Sequence, residues 1–434
     1  YWAEPSVDHL SRLMKEVYNY PLKNIETKIK NAKETVKSLT WDKTASNNIS
    51  FIKNKLSLAE KYKTSTIGLI STWNTRCGIA SYSKNLIDQF PEDVFIFAPR
   101  TVDNTSCNNI FFCWDLPCTN PKLDTLFTSI ITNNITTMII QFNYGLYDFN
   151  ELSNLIYKLC SNNINIITIL HSTIDPVGEP LRTLKDLVKP FKLCKRLIVH
   201  SINDLNRLKD LGLVDNVSII PHGILDFRPK RKPFNPIKKL SISKPRITIA
   251  SYGFCLPNKG YFQLVKAIAI LRKRGMNIYL YIYSAIYNDD YYWVYDDLMN
   301  LIHNLGLEKY VSINKNYLES SQVLSNLEKH DLIIFPYQQS NESSSAAARD
   351  GLATGKPVFV SPLPIFDDIS SFVNYLSGIS SRDIAHSIIS WLEKDKVNRY
   401  KDSKDNLSRL SSLRFSRIGY RFYLMLKSLE LNKD

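Results

Sequence analysis

Between residues 66 and 360 the chain alternates short apolar runs with segments of helical periodicity. The first series of apolar runs lies at residues 67–70, 94–98, 137–142, 164–170, 196–200 and 217–220. A second series lies at residues 247–252, 278–283, 311–313, 332–335 and 358–360. Strands that alternate with helices favour right-handed crossovers and a parallel sheet. The pattern therefore predicts two α/β domains in tandem, and 434 residues are enough for each to have its own core.

Two segments lie outside this alternation. Residues 1–60 carry helical periodicity without strand-like runs, with Pro21 and Trp41 separating three helical stretches. Residues 227–245 are rich in proline and lysine, which is typical of an interdomain linker. The chain opens at Tyr1, without an initiator methionine or a signal-peptide pattern, so we expect it to be cut from a longer polypeptide.

An internal similarity bears on residues 1–60. Residues 36–52 resemble residues 408–425, with Trp41 aligned with Phe415 and Ala45 with Gly419. Such an offset is typical of a repeat, and it predicts that residues 1–60 are the helical tail of a preceding, similar domain. Chance similarity between two amphipathic helices remains the alternative.

Charge and cysteine content limit the classes of partner. The chain has 55 lysines and arginines against 41 acidic residues, a net charge of +14. This excess favours an anionic partner such as a nucleotide diphosphate or an anionic membrane, although scattered basic residues that maintain solubility explain it equally well. No nucleic-acid-binding motif occurs, so we expect no nucleic-acid partner. The seven cysteines lack metal-ligand spacing, and no uninterrupted apolar run of about 18 residues predicts a membrane-spanning helix.

Residues 71–83 form the first strand-to-helix turn of the series. A loop that enters a helix presents unpaired backbone N–H groups and the positive end of the helix dipole, which suits a phosphate or a polar sugar. Gly78 allows a ligand to approach the backbone closely. The turn lacks the pattern GxGxxG, so it does not predict a dinucleotide site.

The most informative segment is residues 341–358, directly after the apolar run at 332–335. Glu342 lies in the loop at the carboxyl end of that predicted strand, where ligands bind in open α/β sheets. Asp350 falls about two helical turns further on, so both carboxylates are placed to accept hydrogen bonds from ligand hydroxyls. The alternative is an acidic residue that stabilises the helix dipole, followed by a solvated aspartate.

This segment is similar to the E-x7-E region of retaining glycosyltransferases of family 4, which have the GT-B fold. Glu342 matches the first acidic position, Asp350 replaces the second glutamate, and residues 351–358 resemble the motif that follows. Further similarities, in the order of the family, lie at residues 77–82, 141–147, 170–172, 199–201 and 220–223. The resemblance covers about residues 66–430.

The resemblance implies two Rossmann-like α/β domains facing a cleft. Residues 61–235 would form the acceptor domain, residues 236–405 the nucleotide-sugar domain, and residues 406–434 a helix that crosses back to the first domain. It implies a retaining, metal-independent hexosyltransferase without a cofactor. The enzyme would move a sugar from a UDP- or GDP-sugar to a glycan or lipid-linked glycan in surface polysaccharide synthesis, including lipopolysaccharide.

The resemblance also implies where such an enzyme would act. It would be cytoplasmic, where nucleotide sugars are made. The basic residues of the linker, at 230–232 and 238–239, would contact the cytoplasmic face of the inner membrane, and a simply solvated linker is the alternative.

The resemblance assigns roles residue by residue. In the catalytic group, Glu342 orients the sugar hydroxyls, Lys259 neutralises the diphosphate and His171 donates a hydrogen bond to the transferred sugar. The donor-binding group is Gly78, Ile79, Gly253, Phe254, Ser343, Ser344, Ser345 and Asp350. The acceptor-binding group is Arg76, Asn143 and Tyr144.

Two positions depart from the family pattern. Phe254 stands where an arginine commonly holds the diphosphate, and Asp350 is shorter than the usual glutamate. Both departures favour an alternative function, a non-catalytic nucleotide-sugar-binding or scaffold module of a larger transferase.

Overall fold

The computed structural model describes residues 6–19, 21–37, 40–61, 66–100, 109–115, 123–176, 182–227, 246–393 and 409–430. The chain divides into two compact units, one of residues 1–64 with 427–434 and one of residues 65–426. Outside the described residues lie the basic linker residues at 230–232 and 238–239. Two of the seven cysteines, Cys107 and Cys118, also lie outside them.

The first unit contains three helices, α1 (Val7–Tyr18), α2 (Leu22–Lys37) and α3 (Trp41–Lys61). The predicted helical character of residues 1–60 is confirmed where the structure describes them. Ser6 begins α1 by accepting a hydrogen bond from the His9 amide, as is typical of a helix N-cap. The apolar side chains of α1 are exposed, and Trp41 at the start of α3 is 89% exposed.

The second unit begins with a sheet of seven parallel strands in the described part of residues 66–219. These are β1 (Ile67–Ile70), β2 (Phe95–Pro99), β3 (Ile110–Trp114), β4 (Thr137–Phe142), β5 (Asn165–Leu170), β6 (Arg196–Val199) and β7 (Val217–Ile219). Their order is β3-β2-β1-β4-β5-β6-β7. Six were predicted from apolar runs. The seventh, β3, was not predicted; it is an edge strand that is half-buried over its first three residues.

A second parallel sheet follows between residues 247 and 375. Its strands are β8 (Ile247–Tyr252), β9 (Ile278–Tyr283), β10 (Val311–Asn314), β11 (Leu332–Phe335), β12 (Val358–Val360) and β13 (Asn374–Tyr375). Their order is β10-β9-β8-β11-β12-β13. The two-residue edge strand β13 is too short to produce a sequence pattern, and it too was missed.

Helices cover the sheets, as parallel sheets require. Around the first sheet lie α4 (Gly78–Ile87), α5 (Asp124–Thr132), α6 (Phe149–Ser161), α7 (Val188–Leu193) and α8 (Ile202–Asp210). Around the second lie α9 (Tyr261–Lys273), α10 (Tyr292–Asn304), α11 (Ser320–Leu327), α12 (Ala346–Ala353) and α13 (Ser381–Glu393). Buried apolar side chains of these helices and strands form a separate core for the first sheet and a core on each face of the second.

The last helix, α14 (Phe415–Glu430), leaves the second domain and packs on the first. Leu410 lies in a core of the second sheet, whereas Phe422 stacks on Phe90, just after α4. The hydroxyl of Tyr423 donates a 2.7 Å hydrogen bond to Glu92. The predicted return of this helix to the first domain is therefore seen. Tyr420 is 50% exposed, and the buried side chains of the helix include Phe415, Ile418, Phe422, Tyr423 and Leu426.

Both sheets reverse their strand order once, between β1 and β4 and between β8 and β11. In open α/β sheets ligands bind in the crevice at such a reversal, outside the carboxyl ends of the strands. The loops that follow these four strands are therefore the places where this fold positions a ligand.

Candidate functional site

The residues singled out from the sequence follow the strands at the two reversals. Arg76, Gly78 and Ile79 follow β1, and Asn143 and Tyr144 follow β4. Gly253, Phe254 and Lys259 follow β8, and residues 342–345 follow β11. His171 follows the next strand, β5. The topology explains why loops that are far apart in sequence end at common edges of the two sheets.

In the second domain, the loop after β8 lies directly against the loop after β11. The Gln338 amide donates a 2.8 Å hydrogen bond to the Asn258 carbonyl, and the Asn258 side chain donates to Gln339 at 3.3 Å. Gly260 makes this approach possible, because a Cβ added there would lie 1.8 Å from the Pro336 carbonyl oxygen. Its φ of +75° also favours glycine.

This contact brings Lys259 beside the acidic residue of the neighbouring loop. The Lys259 Nζ lies 4.0 Å from the centroid of the Tyr337 ring, a cation–π distance. Burial alone would lower the pKa of Lys259, but Tyr337 and the Glu342 carboxylate raise it, and its net pKa is above the ordinary value. The lysine is therefore a fixed positive charge, and the exposed Glu342 side chain has no hydrogen-bond partner among the described residues.

Asp350 lies on α12 with a half-buried carboxylate that makes no hydrogen bond to any described residue. Desolvation raises its pKa to about 7, against a smaller opposing effect of the Arg349 charge. A carboxylate with free acceptor capacity of this kind is suited to accept hydrogen bonds from ligand hydroxyls.

The three serines before α12 are not equivalent. Ser345 is the N-cap, and its hydroxyl accepts a hydrogen bond from the Ala348 amide. The Ser344 hydroxyl donates to Asp368 at 2.7 Å, and the Ser343 hydroxyl donates to Asp204 at 2.9 Å.

The backbone of this turn is less engaged than its side chains. The Ser343 amide donates to the His171 carbonyl at 3.3 Å. The amides of residues 344–347 have no acceptor within the described part of the chain, so they form an open set of donors at a helix N-terminus.

A buried arginine holds the start of α12. Arg349 is 2% exposed and pairs with Asp368, which also accepts the hydrogen bond from Ser344. It also donates to the carbonyls of Ser345 and His222, at 3.1 and 3.2 Å. Because a buried charge needs such partners, this network rigidly connects the turn to the segment that joins the two sheets.

His171 belongs to a buried aromatic cluster under the site. Its Nε2 lies 2.7 Å from Gln141 Oε1, which is an acceptor, so the imidazole donates there and leaves Nδ1 as an acceptor. The Tyr82 ring is 4.9 Å from the His171 ring and 4.8 Å from that of His222. Burial lowers the pKa values of His171, His200 and His222, so these imidazoles are neutral.

In the first loop, Gly78 faces open space, because a Cβ added there would meet no atom within 4 Å. Ile79 packs partly on the first core. The exposed Arg76 places its guanidinium 5.3 Å from the ring centroid of Tyr317, a residue of the second domain. Arg76 therefore reaches the loop between β10 and α11 of the second domain.

Asn143 and Tyr144 are engaged within their own domain. The Asn143 side chain accepts a hydrogen bond from the Gly145 amide, at 3.1 Å. Tyr144 is buried in the first core, and its hydroxyl donates to Asp175 at 2.6 Å. In this arrangement the Tyr144 ring anchors the loop after β4 to the first core.

The loop after β8 contains one cationic side chain, Lys259. The Gly253 amide donates to the Tyr283 carbonyl at 3.2 Å, which anchors the start of the loop. The Phe254 ring packs edge-on against Tyr287, with centroids 5.2 Å apart. The position thus contributes an aromatic surface to the site rather than a charge.

Sequence reasoning missed Asp204, Arg349, Asp368, Tyr317 and Tyr337. Asp204 completes an S-x-x-D pattern with Ser201, which predicts a helix cap and nothing more. A stronger signal was available at Arg349, a charge inside the E-x7-D segment at a position that α12 buries. Two partners of Arg349, the Asp368 side chain and the His222 carbonyl, lie outside this segment, so the network itself was not predictable.

Among the described residues, no group of three or more histidine, cysteine or acidic side chains is arranged to hold a metal ion. In the same part of the chain, none of the helices has both the length and the apolar character needed to cross a membrane.

No protein-family profile matches the sequence, and no curated protein sequence matches it. Solved structures do. A glycosyltransferase from Rickettsia africae is 14% identical, with a TM-score of 0.66, over 86% of this chain and all of that one. Sucrose-phosphate synthase from Thermosynechococcus elongatus is 13% identical, with a TM-score of 0.66, over 85% and 100% of the two chains. Anabaena HepE in complex with UDP and glucose is 12% identical, with a TM-score of 0.64, over 84% and 100%.

These proteins share one architecture of two parallel α/β domains. The chain therefore has the GT-B fold of glycosyltransferases, as its sequence predicted. At identities this low the likeness establishes the fold, and the function must be argued from the residues of the site.

Proposed function

We propose that this protein is a glycosyltransferase that moves a sugar from a nucleotide-diphosphate sugar to a hydroxyl group. The observation that carries the proposal is the grouping of Lys259, Glu342 and the open amides before α12 at the reversal of the second sheet. A cation and a helix N-terminus suit the charged diphosphate of such a donor. A carboxylate suits the sugar, because it accepts hydrogen bonds from several hydroxyls.

In this proposal each group has one task. Lys259 and the amides of residues 344–347 bind the diphosphate and stabilise the charge that develops on it as the glycosidic bond breaks. The Glu342 carboxylate accepts hydrogen bonds from the sugar hydroxyls. Asp350, whose carboxylate has no hydrogen-bond partner among the described residues, accepts hydrogen bonds from the ribose.

We propose that the transfer is retaining, as the family resemblance implies, and the site is compatible with that course. The acceptor hydroxyl attacks from the face that the diphosphate leaves, and a leaving phosphate oxygen takes its proton. Such a course needs neither a metal nor a dedicated base, because Lys259 and the amides neutralise the leaving group. Neutral His171 serves as an acceptor for a hydroxyl of the transferred sugar, which differs from the donor role that the sequence suggested.

The acceptor enters from the first domain. Arg76 lies at the opening between the sheets, over Tyr317, with the open face of Gly78 next to it. Asn143 and Tyr144 shape the neighbouring loop. The acceptor we propose is a glycan or a lipid-linked glycan.

The experiment that tests this function is a thermal-shift screen of UDP, GDP and their sugars, followed by a transfer assay with the nucleotide that binds. A ligand that prefers the native state raises the melting temperature. HepE was solved with UDP and glucose, so UDP-glucose is the first donor to test. A protein that binds none of these nucleotides is not a glycosyltransferase of this kind.

Phe254 favours a second candidate, a nucleotide-sugar-binding module without activity. Phe254 packs on Tyr287 and carries no charge where the family commonly has an arginine, so Lys259 is the single cation in the loop after β8. Stabilisation of the leaving group is therefore weaker than it would be with two cations. Binding of a donor without transfer or hydrolysis would favour this module. Measurable release of nucleotide in the presence of donor would exclude it.

We propose that the enzyme acts in surface polysaccharide synthesis in the cytoplasm. Its basic linker would make peripheral contact with an anionic membrane leaflet. Flotation with anionic and neutral vesicles tests the contact, and equal absence of binding to both contradicts it.

We also propose that a further glycosyltransferase domain precedes α1. Trp41 is 89% exposed, whereas Phe415, the residue aligned with it, is 4% exposed, so the N-terminal helices carry an apolar face suited to a similar domain.

A further inference from the structure

Asp204 joins the two α/β domains through a loop of the proposed donor site. Its carboxylate is 1% exposed and accepts hydrogen bonds from Ser201 and Thr173, each at 2.5 Å. Arg207 donates to the same carboxylate at 3.1 Å. These three partners belong to the first domain and fix the carboxylate in place.

The fourth partner comes from the other domain. The hydroxyl of Ser343, which follows β11, donates to Asp204 Oδ1 at 2.9 Å. Ser343 lies in the turn between Glu342 and the open amides of residues 344–347. Asp204 therefore holds the turn at the point between the proposed sugar-binding and diphosphate-binding groups.

Two neighbouring hydrogen bonds also hold this turn to the first domain. The Ser343 amide donates to the His171 carbonyl at 3.3 Å, and the Ser172 hydroxyl donates to the Asn341 carbonyl at 2.8 Å. Both hydrogen-bond donors of Ser343, its amide and its hydroxyl, thus bond to the first domain. Ser343 is an anchor of the turn in this arrangement, and diphosphate binding falls to the amides that follow it.

We propose that Asp204 is a positioning residue of the donor site, which acts through Ser343 to fix residues 341–345 relative to the first domain. The inference rests on the proposed function and adds to it that the donor site is complete only when the first domain holds this turn. Donor affinity then depends on how the two domains are placed, although Asp204 itself touches no part of the donor.

The four hydrogen bonds to Asp204 allow the role of the bond from Ser343 to be tested separately. Ser343→Ala removes one of four donors to Asp204, so the carboxylate stays paired with Arg207 and bonded to Ser201 and Thr173. The fold is therefore retained and the effect falls on the turn. Asn203→Ala is the matched control, since it breaks another bond between the domains, that of Asn203 to Asp367 at 3.0 Å, without touching residues 341–345.

The first measurement is hydrogen exchange of the peptide covering residues 341–345 in the protein without ligand. We expect faster exchange in Ser343→Ala and unchanged exchange in Asn203→Ala. Equal exchange in wild type and Ser343→Ala overturns the proposal. Because no nucleotide is present, this result does not depend on the proposed function.

The second measurement is the dissociation constant of UDP or GDP, whichever binds, by calorimetry. We expect about tenfold weaker binding for Ser343→Ala, the usual effect of losing a hydrogen bond to a charged group, and no change for Asn203→Ala. Asp204→Asn should also weaken binding, and the double variant Asp204→Asn/Ser343→Ala should bind no more weakly than Ser343→Ala.

The outcomes separate the two proposals. Additive losses in the double variant contradict action through Ser343. If the turn exchanges faster in Ser343→Ala but wild type binds neither nucleotide, the anchoring holds while the proposed function, and with it the link to donor affinity, fails.

Discussion

The Lys259 Nζ lies 4.0 Å from the centroid of the Tyr337 ring, and these two residues come from loops that follow different strands. Lys259 lies near the end of the loop after β8, and Tyr337 lies near the start of the loop after β11. The contact places a half-buried cation at the reversal of the second sheet, where the fold positions ligands. The role of this cation is open to direct test.

Lys259→Ala should weaken binding of the nucleoside diphosphate more than binding of the nucleoside, because an ammonium acts on phosphate as a point charge. Calorimetry with UDP and uridine, or with GDP and guanosine, measures the difference. Lys266→Ala is the control, since Lys266 lies exposed on α9. Equal losses for nucleotide and nucleoside would contradict the role.

Glu342→Gln keeps the size of the side chain and removes its charge. We expect sugar transfer to fall about a hundredfold or more, as for the loss of a preorganised hydrogen-bonding group in the transition state. The rate of transfer under saturating donor measures the effect, and Glu393→Gln, at the exposed end of α13, serves as the control. Unchanged turnover would remove Glu342 from the site.

Asp350 predicts a dependence of stability on pH. Burial raises its pKa from 3.8 to about 7 in the folded protein, so between these values the native state holds a proton that the unfolded state has released. Its contribution to the free energy of unfolding therefore falls as the pH rises from about 4 to 7, and the penalty is complete above 7. In Asp350→Asn this part of the pH dependence should disappear, as followed by thermal unfolding across the range.

The same group predicts the pH dependence of donor binding. If the ionised Asp350 accepts hydrogen bonds from the ribose, nucleotide affinity should rise as the pH increases through about 7. Binding by Asp350→Asn should show no such rise. A rise of equal size in wild type and variant would assign it to another group.

Gly260 and Gly306 form a matched pair for testing the contact between the two loops. Both have positive φ, +75° and +63°, so alanine costs about 1 kcal/mol of backbone strain at either. Only at Gly260 would the new Cβ clash with a backbone atom, the Pro336 oxygen. We expect Gly260→Ala to lose about 1–3 kcal/mol more than Gly306→Ala in thermal unfolding, and to weaken nucleotide binding as Lys259 is displaced.

The C-terminal helix predicts a difference between two aromatic positions. Phe422 is fully buried and stacks on Phe90, so Phe422→Ala should cost about 3–5 kcal/mol of stability. Tyr420→Ala removes a half-exposed ring and should change stability by about 0.5 kcal/mol or less. Similar melting temperatures for the two variants would contradict the packing of α14 on the first domain.

Much of the fold was predictable because the inner strands are short, mostly apolar runs. The residues of β4, for example, are buried over their whole length, which an uncharged run such as Thr137–Phe142 allows. The two strands that were not predicted, β3 and β13, lie at sheet edges. The two residues of β13 are too few to form a pattern, whereas β3 is an apolar run, Ile110–Trp114, that was not recognised as a strand.

The sequence alone determined the fold class and the positions of Lys259, Glu342 and Asp350, because strand periodicity and a local motif are properties of neighbouring residues. The tertiary structure alone decided which side chains meet. Ser343 and Asp204 lie 139 residues apart and Arg349 contacts His222 from 127 residues away. Such contacts arise only when two sheets fold and pack, since hydrogen bonds between distant loops leave no spacing in the sequence from which they could be read.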